Sequence, residues 1–303
     1  MARMRSVGVA VLILLILVGF ILPGSVFAVT TINDYVVYGV NGVKVGGASV
    51  VNGLVGAQFG DPSFPQDSAV FLNAGAAING DVRSGTNVNL QNNCAINGTL
   101  YITNGMSIVK GSGSSITATN FGNPDLPVFP AASVYSAGTS NISQNTSLTL
   151  TAGSYSNLSF SGGTLTLTSG TYFVASLTLS GTASVNLNTT GGPINIFATG
   201  NVNVDGRDAL VTGANAINWE IHGNWTQNGG AMGWAGTLFV PNGKATIGSG
   251  SGNADFTGRV WANSVDIQHG VTVMVPEPSS IALALIGLTG LVVMVRRRQR
   301  HGA

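Results

Sequence analysis

An all-β fold built as a right-handed β-solenoid is the class this sequence predicts, and three observations predict it. Between Val29 and Val275 the text consists of short apolar or alternating runs broken by Gly, Asn and Ser, with no sustained helical periodicity. The runs resemble one another at near-fixed offsets, as the coils of a stacked repeat do. Only 8% of the 303 residues are charged and 43 are Gly, which leaves no charged faces for surface helices. A β-sandwich is the alternative, since hairpins also give short strands; self-similar text favours the solenoid.

Taken in chain order, residues 1–28 read as a signal peptide. Arg3 and Arg5 form a positive start, Val7 to Leu22 is a nearly unbroken apolar run, and Val26-Phe27-Ala28 ends it with cleavage expected after Ala28. The Sec machinery is the partner this segment implies.

Residues 29–120 form a first β-repeat block. Val51-Asn52-Gly53, Ile78-Asn79-Gly80 and Ile96-Asn97-Gly98 share one pattern, each followed by a variable and an apolar residue. Asn-Gly is read as a tight corner in which Gly takes a positive φ. Residues 121–130 hold three of the ten prolines. Proline cannot donate to a strand ladder, so this run is read as a crossover between blocks or a cover over a solenoid end.

Residues 131–274 form a second solenoid block. Leu148-Thr149-Leu150 aligns with Leu165-Thr166-Leu167, and Leu177-Thr178-Leu179 reads as a shortened third copy. Gly236-Thr237-Leu238-Phe239-Val240 aligns with Gly258-Arg259-Val260-Trp261-Ala262. Strand alternation puts Leu238 and Val240 inside and Phe239 outside, beside Trp261. This outward pair is the candidate ligand-stacking site. Packing against a covering segment, such as the chain near Trp234, competes with that role.

Residues 275–303 form a tail of another kind. Pro276-Glu277-Pro278 precedes an uncharged run from Ile281 to Val295, and Arg296, Arg297, Arg298 and Arg300 follow. As a helix, Ser279 to Val295 would span about 26 Å, close to a hydrocarbon core, so a transmembrane helix is expected. The Arg cluster would hold the cytoplasmic side as a stop-transfer signal.

These three parts in this order resemble the PEP-CTERM sorting signal of Gram-negative bacteria. The resemblance implies that Pro276, Glu277 and Pro278 are recognised by an exosortase. It implies transient anchorage in the inner membrane, then release to the cell surface, outer membrane or extracellular matrix. It also implies an association with exopolysaccharide and biofilm. The Gly236–Asn242 text and the Gly258–Ala262 text that follows are similar to the exported β-rich modules called choice-of-anchor A.

The chemistry looked for is largely missing. Between residues 29 and 275 there is one Glu, with two His and nine Asp. An exported structural surface protein is the expected function and a carbohydrate-binding surface module the alternative. A polysaccharide-degrading β-helix enzyme, which needs a carboxylate pair, is the second alternative. Glu220 and His222 share a strand face, read as a solvated outer pair. Asp266 with His269 reads as a turn contact. Asp205 and Asp208 flank Gly206-Arg207, which reads as a turn rather than a calcium or catalytic site. Cys94, the single Cys, has no disulfide partner and reads as buried and inert. No catalytic residue, metal ligand or cofactor is expected, and the protein is expected not to be an enzyme. Outward Thr at 149, 151, 166 and 168 is ordinary strand composition.

The formal net charge is +1, from 12 Lys+Arg and 11 Asp+Glu. Removing two Arg at the start, four Arg at the end and Glu277 leaves 6 − 10 = −4 for residues 29–275. A weakly acidic body excludes a nucleic-acid partner, because phosphate neutralisation needs clustered Lys and Arg.

Overall fold

The computed structural model describes residues 31–205, 209–213, 216–228, 233–248 and 255–275. The expected signal peptide with Ala28, the sorting residues Pro276 to Pro278, the apolar run after them and Arg296 to Arg298 lie outside the described residues. So does Asp208. No helix among the described residues is long and apolar enough to cross a membrane.

The first block contributes β1 (Tyr35–Gly39), β2 (Val43–Val45), β3 (Val50–Asn52), β4 (Leu54–Ala57), β5 (Val70–Leu72), β6 (Ala77–Asn79), β7 (Val82–Ser84), β8 (Val88–Leu90), β9 (Ala95–Thr103), β10 (Ile108–Lys110) and β11 (Ser115–Gly122). The second contributes β12 (Ile142–Gln144), β13 (Leu148–Leu150), β14 (Gly153–Ser154), β15 (Asn157–Phe160), β16 (Thr164–Thr168), β17 (Gly170–Val174), β18 (Ser176–Leu179), β19 (Ser184–Asn188) and β20 (Ile194–Ala198). It continues with β21 (Val202–Val204), β22 (Ala209–Thr212), β23 (Ile217–Ile221), β24 (Trp225–Gln227), β25 (Trp234–Ile247), β26 (Asp255–Ile267) and β27 (Thr272–Met274).

Among the described residues every strand pairing is parallel, which a hairpin-built sandwich cannot give, and the strands stack on three faces. One face runs β12-β15-β18-β21-β24-β25-β26-β2-β5-β8-β10. A second begins as the separate four-stranded sheet β13-β16-β19-β22 and resumes as β25-β26-β27-β3-β6-β9-β11. The third runs β14-β17-β20-β23-β25-β26-β1-β4-β7-β9-β11. The fold is an all-β solenoid.

The order of these strands is not the order of the chain. β27 supplies one side of a coil whose other two sides are β1 and β2, more than two hundred residues earlier in the sequence; all three lie on β26. The first block therefore stacks directly on the last coil of the second. Residues 123–141, which contain no strand, run from β11 at one end of the stack back to β12 at the other.

Inward columns of Val, Ile and Leu fill the interior, with Trp219, Trp225 and Trp234 all buried. Their rings meet edge to face, with centroids 5.2 to 5.6 Å apart. Such contacts add to the area the rings bury.

The Asn-Gly corners stack in register. Asn79 Nδ2 donates to Asn52 Oδ1 and Asn97 Nδ2 to Asn79 Oδ1, each at 2.8 Å. The reason for glycine differs from the one the sequence suggested. Only Gly53 has a positive φ, of 133°. Gly80 and Gly98 are needed for close approach: a Cβ on Gly98 would lie 2.3 Å from the carbonyl oxygen of Gly80, and one on Gly80 would lie 2.4 Å from that of Gly53.

Leu148 and Leu165 stack as expected, as do Gly236 and Gly258. The third Leu-Thr-Leu copy does not: Leu177 and Leu179 stack on Leu158 and Phe160, on a different face. Val185 and Leu187 take the position above Leu165 and Leu167.

Candidate functional site

One outward row climbs the third face: Phe173, Phe197, Glu220, Phe239, Trp261, Tyr38, Gly56, Arg83 and Tyr101, each in register with the next. A solvent-facing row would be polar. This one is aromatic because residues 124–138 lie along it as a strap. Arg83 Nη1 donates to the Pro124 carbonyl at 2.7 Å, while its guanidinium sits 4.8 Å from the centre of the Tyr101 ring. Tyr38 Oη donates to the Pro127 carbonyl at 3.2 Å. Phe129 stacks on Tyr38 at 5.8 Å and meets Phe239 at 5.4 Å. Gly56 gives the Tyr35 and Tyr38 rings their space, since a Cβ there would lie 2.4 and 2.7 Å from them.

Further along, Ser133 donates from its backbone N and its Oγ to the Glu220 carboxylate, at 2.6 and 2.8 Å. The same carboxylate lies 3.0 Å from His222 Nε2. The Tyr135 ring packs against Phe197 and His222 at 5.1 and 4.5 Å. Its hydroxyl makes a bifurcated bond to the carbonyls of Ala198 and Glu220. Burial, with the Glu220 charge second, pushes the Tyr135 phenol well above its ordinary range. Burial, with Tyr35 second, does the same to Tyr38.

The length of the strap fits the stack. From Pro124, over β7, to Gly138, which bonds to Tyr155 beside β14, the third face climbs eight strand spacings, roughly 38 Å at about 4.8 Å each. Fourteen residues at the polyproline rise of about 3.1 Å reach roughly 43 Å. The strap is thus nearly extended, a conformation that Pro124, Pro127 and Pro130 favour.

The second feature is the joint at β1. Asn41 Nδ2 donates to Asn263 Oδ1 at 2.9 Å and Trp261 Nε1 to the Tyr35 carbonyl at 3.0 Å. Arg259 Nε donates to the Asn33 carbonyl at 3.0 Å. Asp266, 5% exposed, is held by Lys44 at 3.3 Å and by Lys244 at 2.7 Å. These contacts put the first described residues beside the last. Arg259 and Val275 line the same largely apolar cleft of about 550 Å³, together with Ala209, Val211, Ile217 and Thr257. The cleft opens where the four-stranded sheet stops.

Phe239 and Trp261 are neighbours, as the repeat predicted. Their cover is the strap and the Tyr35–Tyr38 pair; Trp234 is in the core instead. Glu220 and His222 are not a solvated pair: the strap buries them to 11% and 20% side-chain exposure. Asp266 engages two lysines rather than His269. Asp205 is exposed. Cys94 is buried, with its Sγ 3.0 Å from the Asn73 carbonyl. Burial pushes its thiol pKa up, against hydrogen bonds that pull it down. No group of three potential metal ligands occurs among the described residues. Reading residues one segment at a time missed Phe129, Ser133 and Tyr135; the signal was the run of outward aromatics, which needs a cover.

Comparison with known families gives two matches. Residues 130–277 are similar to a domain of unknown function (DUF7305), a span from within the strap to just past the joint. Residues 275–299 match the PEP-CTERM protein-sorting motif. No curated protein matches the chain, and no solved structure does. The sorting motif implies an exported protein with an exosortase as its processing partner.

Proposed function

From the sorting motif as premise, we propose that this chain is a non-enzymatic structural protein of the cell surface or extracellular matrix, associated with exopolysaccharide. The observation that carries the reading is the position of the motif. Its first residue is Val275, one beyond the end of β27, so the sorting signal follows a completed solenoid without a linker. The sequence from Pro276 onward then acts as a tether, anchored by the expected apolar helix and Arg296 to Arg298 and removed near Pro276, Glu277 and Pro278. The start of the described body lies at the same joint.

A structural role also accounts for how the ionisable groups are used. Glu220 and His222 clamp the strap, and Asp266 with its two lysines fastens the joint; each is consumed in holding the fold. Contact with polysaccharide is assigned to the polar outer rows, such as Asn195 and Asn218, which bond to each other at 2.9 Å. The strap occupies the ring faces of Phe239 and Trp261.

The test is a chain carrying Pro276→Ala and Glu277→Ala, followed by fractionation and mass measurement of the product. We expect the unprocessed chain to accumulate in the membrane fraction and the surface pool to disappear. Normal processing and display of the double variant would refute the reading.

A further inference from the structure

We propose that the two ends of the solenoid are complementary and join head to tail, so that copies of this chain stack into a filament. The partner is a second copy of the same chain. The inference stands on the geometry of the body alone, so it can fail while the sorting role stands.

Both ends of the stack are open parallel edges. β12, β13 and β14 pair only with β15, β16 and β17, and β10 and β11 pair only with β8 and β9. Each end therefore leaves a row of strand N–H and C=O groups without a ladder partner among the described residues, except beside β14, where Gly138 and Ser140 at the end of the strap bond to Tyr155 and Ser156. Soluble proteins usually blunt such edges with charge, proline or a covering segment. Here Lys110 is the only charged residue from 104 to 122, and residues 138–156 contain none. Nor does either end coincide with a chain terminus. The described chain starts and stops at the joint inside the stack, and the strap leaves one end and reaches the other along the third face.

The interior columns also match. One column rises from Ile142 through Leu158 and Leu177 and finishes at Val88 and Ile108. Its neighbour starts at Gln144 and finishes at Lys110. When one copy is placed on another with the internal register continued, Ile108 meets Ile142 and the Lys110 amine meets the Gln144 amide. Ile116 faces Leu148 and Leu150. Ile108, Ile116, Ile142 and Leu148 are only half-buried, and Phe121 is 53% exposed, so apolar surface remains to be covered at both ends. In a parallel stack the upper edge of one coil is the complement of the lower edge of the next, which makes the joint heterologous and non-closing.

The test uses the exported protein as cells release it, in sedimentation velocity across a concentration series and in negative-stain microscopy. Wild type should form linear species that lengthen with concentration. Each third-face row has eleven strands, so the axial repeat should be about 53 Å at roughly 4.8 Å per strand. Ile116→Lys blocks one end and Leu148→Lys the other. Each variant alone should be monomeric, and an equimolar mixture should give dimers and nothing longer. Thr117→Lys and Thr149→Lys, at exposed edge positions, repeat the test without touching the core. Wild type that stays monomeric up to its solubility limit would overturn the proposal. So would a single variant that still dimerises, or assembly indifferent to both pairs of substitutions.

Discussion

Gly98 shows how little room the coils leave for a side chain. A methyl group added there meets the Gly80 carbonyl oxygen at 2.3 Å, so the two coils must move apart. Overpacking of this kind costs about 1–3 kcal/mol, and Gly98→Ala should lower the unfolding free energy by that amount in a denaturant titration. Gly122→Ala is the control, because the nearest atom to a Cβ there is Asn120 Oδ1 at 3.9 Å and Gly122 is not among the residues with a positive φ. Equal losses for the two variants would contradict the close-approach argument. The corner glycines were legible in the sequence because Asn52, Asn79 and Asn97 recur in neighbouring coils of one block. Their physical reason was not legible. Asn-Gly text signals a turn, and only coordinates show that the second and third corners press on a carbonyl rather than adopt a positive φ.

At the scale of elements, the strap depends on two neutral phenols. Tyr38 and Tyr135 bond to carbonyl groups as donors, and burial raises both pKa values above that of the unfolded chain. A raised native pKa means that the folded state holds its proton more tightly. The stabilisation is complete below the unfolded value of about 10 and is lost as pH rises through the native values. The melting temperature should therefore be flat with respect to these groups until about pH 10 and fall above it. Tyr135→Phe should lower the plateau and make the alkaline fall shallower; a fall as steep as in wild type would show that Tyr135 does not contribute. The strap was half legible in the sequence. Pro124, Pro127 and Pro130 marked a crossover or an end cover, and the outward parity of Phe239 and Trp261 pointed either to a ligand-stacking site or to packing under a covering segment. Nothing in the local text said that the one covers the other, because Phe129 and Phe239 are brought together only by the stack. For the same reason Leu177-Thr178-Leu179 misled: a repeated tripeptide records inward and outward alternation but not which of three faces it occupies.

At the scale of the whole molecule, the solenoid is closed in connectivity though open in shape. The chain enters at β1, climbs to β11, returns along the strap to β12, and climbs again until β27 meets β3 and β26 meets β1. The described body thus begins and ends at one place inside the stack, away from both of its physical ends. The β1–β26 pairing spans more than two hundred residues of sequence, and contacts of such separation carry a large loop-closure cost. Sequence repeats could not reveal it. They report coils adjacent in the chain, whereas Asn41 and Asn263 are 222 residues apart and belong to different repeat families.

The joint is also where the account is most directly exposed to test. Asn41 and Asn263 face each other with a side-chain bond of 2.9 Å, and neighbouring strands lie about 4.8 Å apart, close to the spacing a disulfide bridges. The measurement is oxidation of a chain carrying Asn41→Cys and Asn263→Cys with Cys94→Ser, followed by peptide mass mapping under non-reducing conditions. The account predicts an intramolecular disulfide joining residues 41 and 263 in high yield in the folded protein, and none after unfolding in denaturant before oxidation. Two free thiols in the folded chain, or a bond formed only between chains, would contradict the permuted solenoid.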